Sequence, residues 1–206
     1  FTNASRAIKS KEADKCAANG VTPLEMKVGY DGIVFANSKE GATFEVTPLD
    51  LYLALAKDIP QADGTLKENT YTHWNQINPA FPNIKIEVLG PPPSSGTRDA
   101  WVELVMEKGC KTFDWVKAMK KKDKKAYKGI CHGIREDGAY IEAGENDNLI
   151  IQKLANNPNA FGIFGYSFLD QNTDVIKGTV INGIAPTFDS IADGSYPASR
   201  ALYVYA

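Results

Sequence analysis

Apolar positions change period along the chain, and each change marks an element. Leu24, Met26, Val28 and Tyr30 alternate with Glu25, Lys27 and Gly29, which predicts a half-buried strand. After Asp31-Gly32, the run Ile33-Val34-Phe35-Ala36 is apolar at every position, the pattern of a central strand covered on both faces. Phe161-Gly162-Ile163-Phe164-Gly165-Tyr166 repeats that pattern, and its glycines suggest close backbone packing. Residues 43–46, 175–181 and 196–205 read as further strands, with Asn182-Gly183 as a turn. Helical signals fall between them. Ser10 is placed to cap a helix over 11–19, with Glu12 in its first turn and Gly20 past its end. Thr47-Pro48-Leu49-Asp50 combines a cap, a proline at the first helical position and an acid at the third, opening a helix that stops before Pro60. Residues 60–83, with Asp63-Gly64, Asn78-Pro79 and Phe81-Pro82, read as loop anchored by Trp74. A polar loop over 143–148 precedes a helix carrying Leu149, Ile150 and Leu154, and Thr187 caps another that ends near Gly194. Strands alternate with helices throughout, so the fold class is α/β.

The stretch with the most chemical content is Gly90-Pro91-Pro92-Pro93-Ser94-Ser95-Gly96-Thr97-Arg98. The strand Ile84-Lys85-Ile86-Glu87-Val88-Leu89 runs into it. A helix leaves it with Ala100, Trp101, Leu104 and Val105 on one face and ends at Gly109. Small hydroxyls and free N–H groups at a helix N-terminus suit an anion, and Gly96 removes a Cβ where a ligand or the turn needs close approach. An ordinary N-cap followed by glycine has the same spelling.

With 43% apolar and 23% charged residues and a net charge of −2, the 206-residue chain has a globular composition. The balance argues against nucleic acid as partner, and no apolar run approaches the roughly 20 residues that span a bilayer. Lysines 117, 120, 121, 122, 124, 125 and 128 decorate a helical stretch whose inner face is Trp115, Val116 and Met119. They read as a solvated face, with a patch for an acidic partner as the alternative. Cys16, Cys110 and Cys131 form no C-x-x-C pair, and with only His73 and His132 beside them no zinc spacing exists. Either the thiols are reduced and buried, or Cys110 and Cys131 form a disulfide with Cys16 left over. That bridge would close a loop of about 20 residues, stabilise by roughly 3 kcal/mol and imply an oxidising compartment. The sequence begins with neither a signal-peptide pattern nor an initiator Met. Phe1-Thr2-Asn3-Ala4-Ser5-Arg6 reads as a strand entering a turn, and 201–206 stops inside a strand, so the chain is expected to be a fragment of a longer one.

Taken in order, several segments resemble the phosphate-binding proteins of bacterial ABC transporters, which have the type II periplasmic binding-protein fold. Asn3-Ala4-Ser5-Arg6-Ala7-Ile8 is similar to the turn that closes an early strand of the family's first lobe. Asp31-Gly32-Ile33-Val34-Phe35-Ala36-Asn37 resembles its first hinge strand, and Ser95-Gly96-Thr97 its anion loop. Phe161-Gly162-Ile163-Phe164-Gly165-Tyr166 resembles the strand returning to the hinge, and Tyr196-Pro197-Ala198-Ser199-Arg200-Ala201-Leu202-Tyr203 the closing segment. The resemblance implies two α/β lobes joined by a two-strand hinge. Lobe 1 comprises 1–38 and 167–206 and lacks its N-terminal part; lobe 2 comprises 39–166.

It also implies a periplasmic, monomeric solute-binding protein, not an enzyme, that captures an oxyanion, inorganic phosphate first, for the permease subunits, without cofactor or metal. The implied ligand residues are Ser95, Gly96 and Thr97, with Ser5 nearby. Charge compensation falls to Arg98, Arg6 or Arg135. Each has a structural alternative: Arg98 a salt bridge or exposure, Arg135 a pair with Glu136, Asp137 or Glu145, and Ser5 a turn cap. Better-known phosphate binders place an Arg and an Asp where this chain has Pro91 and Pro93, so the loop says oxyanion more firmly than it says which one. Two other functions fit the scaffold. A phosphoester hydrolase would use Ser94, Ser95 or Thr97 as nucleophile, but His73 and His132 lie in unrelated segments and offer no convincing base. An adhesion or scaffold protein would keep the fold without the ligand.

Overall fold

The computed structural model describes residues 1–144 and 146–206; Glu145, one of the partners expected for Arg135, lies outside the described residues. In chain order the elements are β1 (Thr2–Ala4), α1 (Ser10–Ala18), β2 (Glu25–Ser38), α2 (Pro48–Leu55), β3 (Asp58–Pro60), β4 (Leu66–Glu68), α3 (Trp74–Ile77) and β5 (Val88–Gly90). A continuous helix follows, made of α4 (Gly96–Trp101), a π-helical turn (Val102–Met106) and α5 (Glu107–Cys110). Then come α6 (Asp114–Lys122), α7 (Lys124–His132), β6 (Tyr140–Glu142), α8 (Asp147–Asn156), β7 (Phe161–Gly165), α9 (Tyr166–Asp170), β8 (Ile176–Gly178), α10 (Phe188–Ala192) and β9 (Ser199–Tyr205).

One mixed sheet organises the molecule in the order β1-β9-β2-β7-β5-β6, with β8 also paired to β2. The long strand β2 belongs to both ends of it. Its first half pairs with β9, through a bulge between Lys27 and Gly29, and β9 pairs with β1. Its second half pairs antiparallel with β7, Ile33 opposite Gly165 through Asn37 opposite Phe161. Strands β7, β5 and β6 are mutually parallel.

Around the second half of β2 the expected two-faced burial is realised. Ile33 and Phe35 enter one apolar cluster, with Trp74, Trp101 and Phe161, while Val34 and Ala36 enter the other, with Ile150, Leu154 and Phe164. Phe35 stacks on Phe161 at 4.7 Å, and Trp74 meets the same ring at 5.3 Å. A Cβ on Gly162 would lie 2.7 Å from Ile150 and 2.9 Å from Leu154, so the absent side chain is what lets α8 pack on the sheet. Cys110 and Cys131 are joined by a disulfide that ties α5 to α7, and Cys16 is free.

The first half of β2 departs from the pattern. Leu24, Met26, Val28 and Tyr30, expected to be half-buried, are 60%, 38%, 61% and 36% exposed. The helix nearest in sequence, α1, buries none of its own residues and supplies no cover. Other expectations shift locally. The N-cap of α1 is Lys9, whose N–H donates to the Glu12 carboxylate at 2.9 Å, in place of a cap from Ser10. The segment 43–46 makes one bridge, Val46 to Ile181, and no strand. Residues 60–83 hold more than a loop, because β3 and β4 pair as a hairpin around Asp63-Gly64 and α3 buries Trp74. Lys85 bridges His73, so the strand entering the Pro-rich loop is only Val88–Gly90. The lysine-rich stretch is two helices, broken at Asp123, whose carboxylate caps α7 at the Ala126 N–H. The Thr47 cap is as read: Thr47 and Asp50 exchange hydrogen bonds of 2.8 and 3.2 Å.

Candidate functional site

The Gly90–Arg98 loop leaves the C-terminal end of β5, where ligands of open α/β sheets bind. Its conformation is held from within. Ser95 donates its N–H to the Pro92 carbonyl (3.0 Å), and its hydroxyl oxygen accepts the Thr97 N–H (3.2 Å), so Ser95 is the N-cap of α4. The Pro91 carbonyl accepts from the Tyr140 hydroxyl at 2.7 Å and from Arg98 Nη1 at 3.1 Å. The Arg98 guanidinium lies 4.5 Å over the Tyr140 ring. Burial pushes the Tyr140 hydroxyl up to about 12, so it remains a donor. The cation on the first turn, unfavourable beside the helix dipole, is thus stabilised by a ring face and a carbonyl.

Gly96 differs from this internal bracing. It has no positive φ, and a Cβ built on it would meet nothing within 4 Å. Neither the turn nor the packing needs a glycine at the first residue of the helix, and the vacant space opens on a cleft of about 530 Å³. That cleft is lined by the turn after β1 (Ser5, Arg6), by the first turns of the helix (Gly96, Asp99, Glu103) and by the start of β9 (Ser199, Arg200). Residues more than ninety positions apart meet here because β1 and the first half of β2 flank β9 in the sheet. Arg6 donates both terminal nitrogens to Glu12, at 2.7 and 2.9 Å. Those bonds, with the Lys9 N–H, lower the Glu12 carboxyl to about 2. Arg200 forks onto Asp31 at 3.0 and 3.1 Å, across the pair that faces it in β2. Two oriented guanidinium groups and a helix N-terminus therefore share one cleft, with the carboxylates of Asp99 and Glu103 one helical turn apart on its wall.

Of the residues singled out in the sequence, Ser5, Arg6 and Gly96 line the cleft together, whereas Ser95, the N-cap, and Thr97 and Arg98, on the first turn of α4, are outside its lining. Arg135 stands elsewhere. It is buried, and its five N–H groups are engaged by Asp137 and by the carbonyls of Ala54, Asn69 and Tyr71. Ser199 and Arg200 were legible only as part of the closing segment. Their place in the cleft follows from the pairing of β9 with β2, which no local pattern announces. Neither His73 nor His132 lines the cleft: His73 contacts the Thr72 hydroxyl, and His132 bonds Glu107. Among the described residues no group of three or more His, Cys, Asp or Glu is placed to hold a metal ion.

A family model described as a PBP superfamily domain matches residues 1–206. The "Phosphate-binding protein PstS" of Staphylococcus saprophyticus is 30% identical over 210 residues, which are 100% of this chain and 54% of that protein. The chain spans about half the length of the curated relatives it matches. Among solved structures, a possible phosphate binding protein from Planctomyces limnophilus aligns with a TM-score of 0.71 at 25% identity, covering 100% of this chain and 63% of that one. A putative phosphate ABC transporter substrate-binding protein from Clostridium perfringens, solved with bound phosphate, aligns at a TM-score of 0.58 and 20% identity, covering 98% of this chain and 64% of that one. The architecture is that of the type II periplasmic binding-protein fold, over the part of it that this chain spans.

Proposed function

The chain belongs to the PBP superfamily, and on that premise we propose that it captures a tetrahedral oxyanion, inorganic phosphate first, as the solute-binding part of an ABC transporter. The observation that carries the reading is the open space at Gly96, a glycine that the fold does not require, at a helix N-terminus facing a cleft shared with Ser5 and Arg6. Phosphate is favoured over other oxyanions because the similar proteins include a phosphate-binding protein and a phosphate transporter's binding protein solved with bound phosphate. In this reading the Gly96 amide and the Ser5 hydroxyl donate to the anion, Arg6 and Arg200 balance its charge, and Ser95, Thr97 and Arg98 hold the loop in shape. Arg135, with every donor engaged, is a structural residue. Residues 1–38 and 167–206 form one lobe and 39–166 the other. The crossing of β2 and β7 is the hinge on which they close, expelling water from the cleft. The protein works as a periplasmic monomer that hands its ligand to the permease and performs no covalent chemistry.

The test uses calorimetry and thermal unfolding with phosphate, sulfate and molybdate. Phosphate is expected to raise the unfolding temperature. Gly96→Ala is expected to leave stability unchanged, or to raise it by roughly 0.5–1 kcal/mol, while weakening phosphate about ten-fold or more. Absence of heat and of any shift with all three anions would sink the proposal.

A further inference from the structure

The hairpin of α6 and α7 has no part in the cleft, yet it holds the densest charge in the molecule. Lys117, Lys121, Lys122, Lys124, Lys125 and Lys128 are all exposed, and among the described residues none of them is in a salt bridge. The acids within the hairpin are Asp114 and Asp123, and Asp123 is occupied in capping α7. A chain of net charge −2 thus concentrates its positive charge at one pole. Like charges at this spacing repel, which opposes folding of the hairpin.

Two devices hold it together against that repulsion. The disulfide Cys110–Cys131 closes the segment that carries the lysines. Beside it the buried Glu107 carboxylate accepts from Lys120, Tyr127 and His132, each at 2.9 Å, and pairs with Lys111 at 3.0 Å. Those anchors use Lys111 and Lys120 and leave the other lysines outward.

We propose that this braced lysine pole is a docking surface for an anionic lipid bilayer. Three observations choose that occupant. The hairpin's large aromatic residues are turned inward, Trp115 donating to the Gln61 carbonyl at 2.8 Å and Tyr127 fully buried, so no platform for stacking bases is exposed. The outward charges are all lysine, compact ammonium groups without the planar fork that selects a particular phosphate, which suits a diffuse plane of headgroups. The pole also sits at the C-terminal end of the Gly96–Cys110 helix, about 20 Å from the loop at its start, so a bilayer held there leaves the cleft open. This inference does not rest on the oxyanion reading.

The test is sedimentation with vesicles of phosphatidylglycerol and phosphatidylcholine, against phosphatidylcholine alone, over a range of salt. Binding is expected only to the anionic vesicles and to fall as salt rises. The variant Lys121→Gln/Lys124→Gln/Lys125→Gln should lose about five-fold per lysine, roughly a hundred-fold in all, with the thermal unfolding temperature unchanged or raised. Lys9→Gln/Lys11→Gln/Lys15→Gln, which removes the same charge from α1, should bind as the parent does. No binding, equal binding to neutral vesicles, equal loss in both triple variants, or tighter capture by heparin or single-stranded DNA than by the vesicles would each overturn the proposal.

Discussion

The two halves of β2 are one strand in two environments. From Ile33 to Ser38 every residue is buried, the strand has a neighbour on each side, and alternate side chains enter two separate apolar clusters. From Glu25 to Tyr30 the strand is paired with β9 through a bulge, and its apolar residues face solvent. Both halves have β-rich sequences, so hydrogen-bonded pairing does not separate them. What differs is whether a helix lies over the sheet: α8 packs into the space left by Gly162, whereas α1 buries nothing. A strand's pattern states which face could be covered; the cover itself has to come from elsewhere in the assembled chain.

Substitutions along the strand should separate the halves sharply. Phe35→Ala, at a ring with no exposed surface stacked on Phe161, should cost about 3–5 kcal/mol in urea unfolding. A loss well under that would mean the covered half is less tightly packed than described.

Acid should act on the covered end through Glu107. Burial pushes its carboxyl up, and the hydrogen bonds from His132, Lys120, Lys111 and Tyr127 outweigh that and hold it well below the ordinary value of 4.5. A folded-state pKa below the unfolded one contributes its stability in full above about 4.5 and loses it as pH falls further. Glu107→Gln should therefore cost roughly 1–3 kcal/mol at neutral pH and flatten the acid limb of the stability profile. Glu12→Gln, at the exposed pair with Arg6, should leave that limb unchanged. An unaltered acid limb in Glu107→Gln would remove the assignment.

The smallest effect is expected in the uncovered half. Met26→Ala should change stability by no more than about 0.5 kcal/mol. A cost approaching that of Phe35→Ala would show that this face is covered in solution.

Much of the candidate site was written locally. The Ser95 cap and the break that places Gly96 at a helix start follow from neighbouring residues. So do the Thr47–Asp50 exchange and the Asn182-Gly183 turn with both residues at positive φ. The charges around the site were not. Arg6, Arg98 and Arg135 read alike as cations available to an anion. The structure gives them three different surroundings: a cleft wall beside Glu12, the face of Tyr140, and a buried nest of carbonyls. Arg200 joins the cleft only because β9 returns beside β2.

By itself the sequence determined the alternation of strands and helices, the caps at Thr47 and Thr187, the two-faced burial of 33–36 and the helix N-terminus at Ser95. These depend on period and on hydrogen bonds between near neighbours. The tertiary structure alone decided which apolar faces are covered, which cations face the cleft and which distant segments line it. Burial and ion pairing are properties of what lies opposite a side chain, and residues far apart in the chain become opposite only when the sheet is assembled.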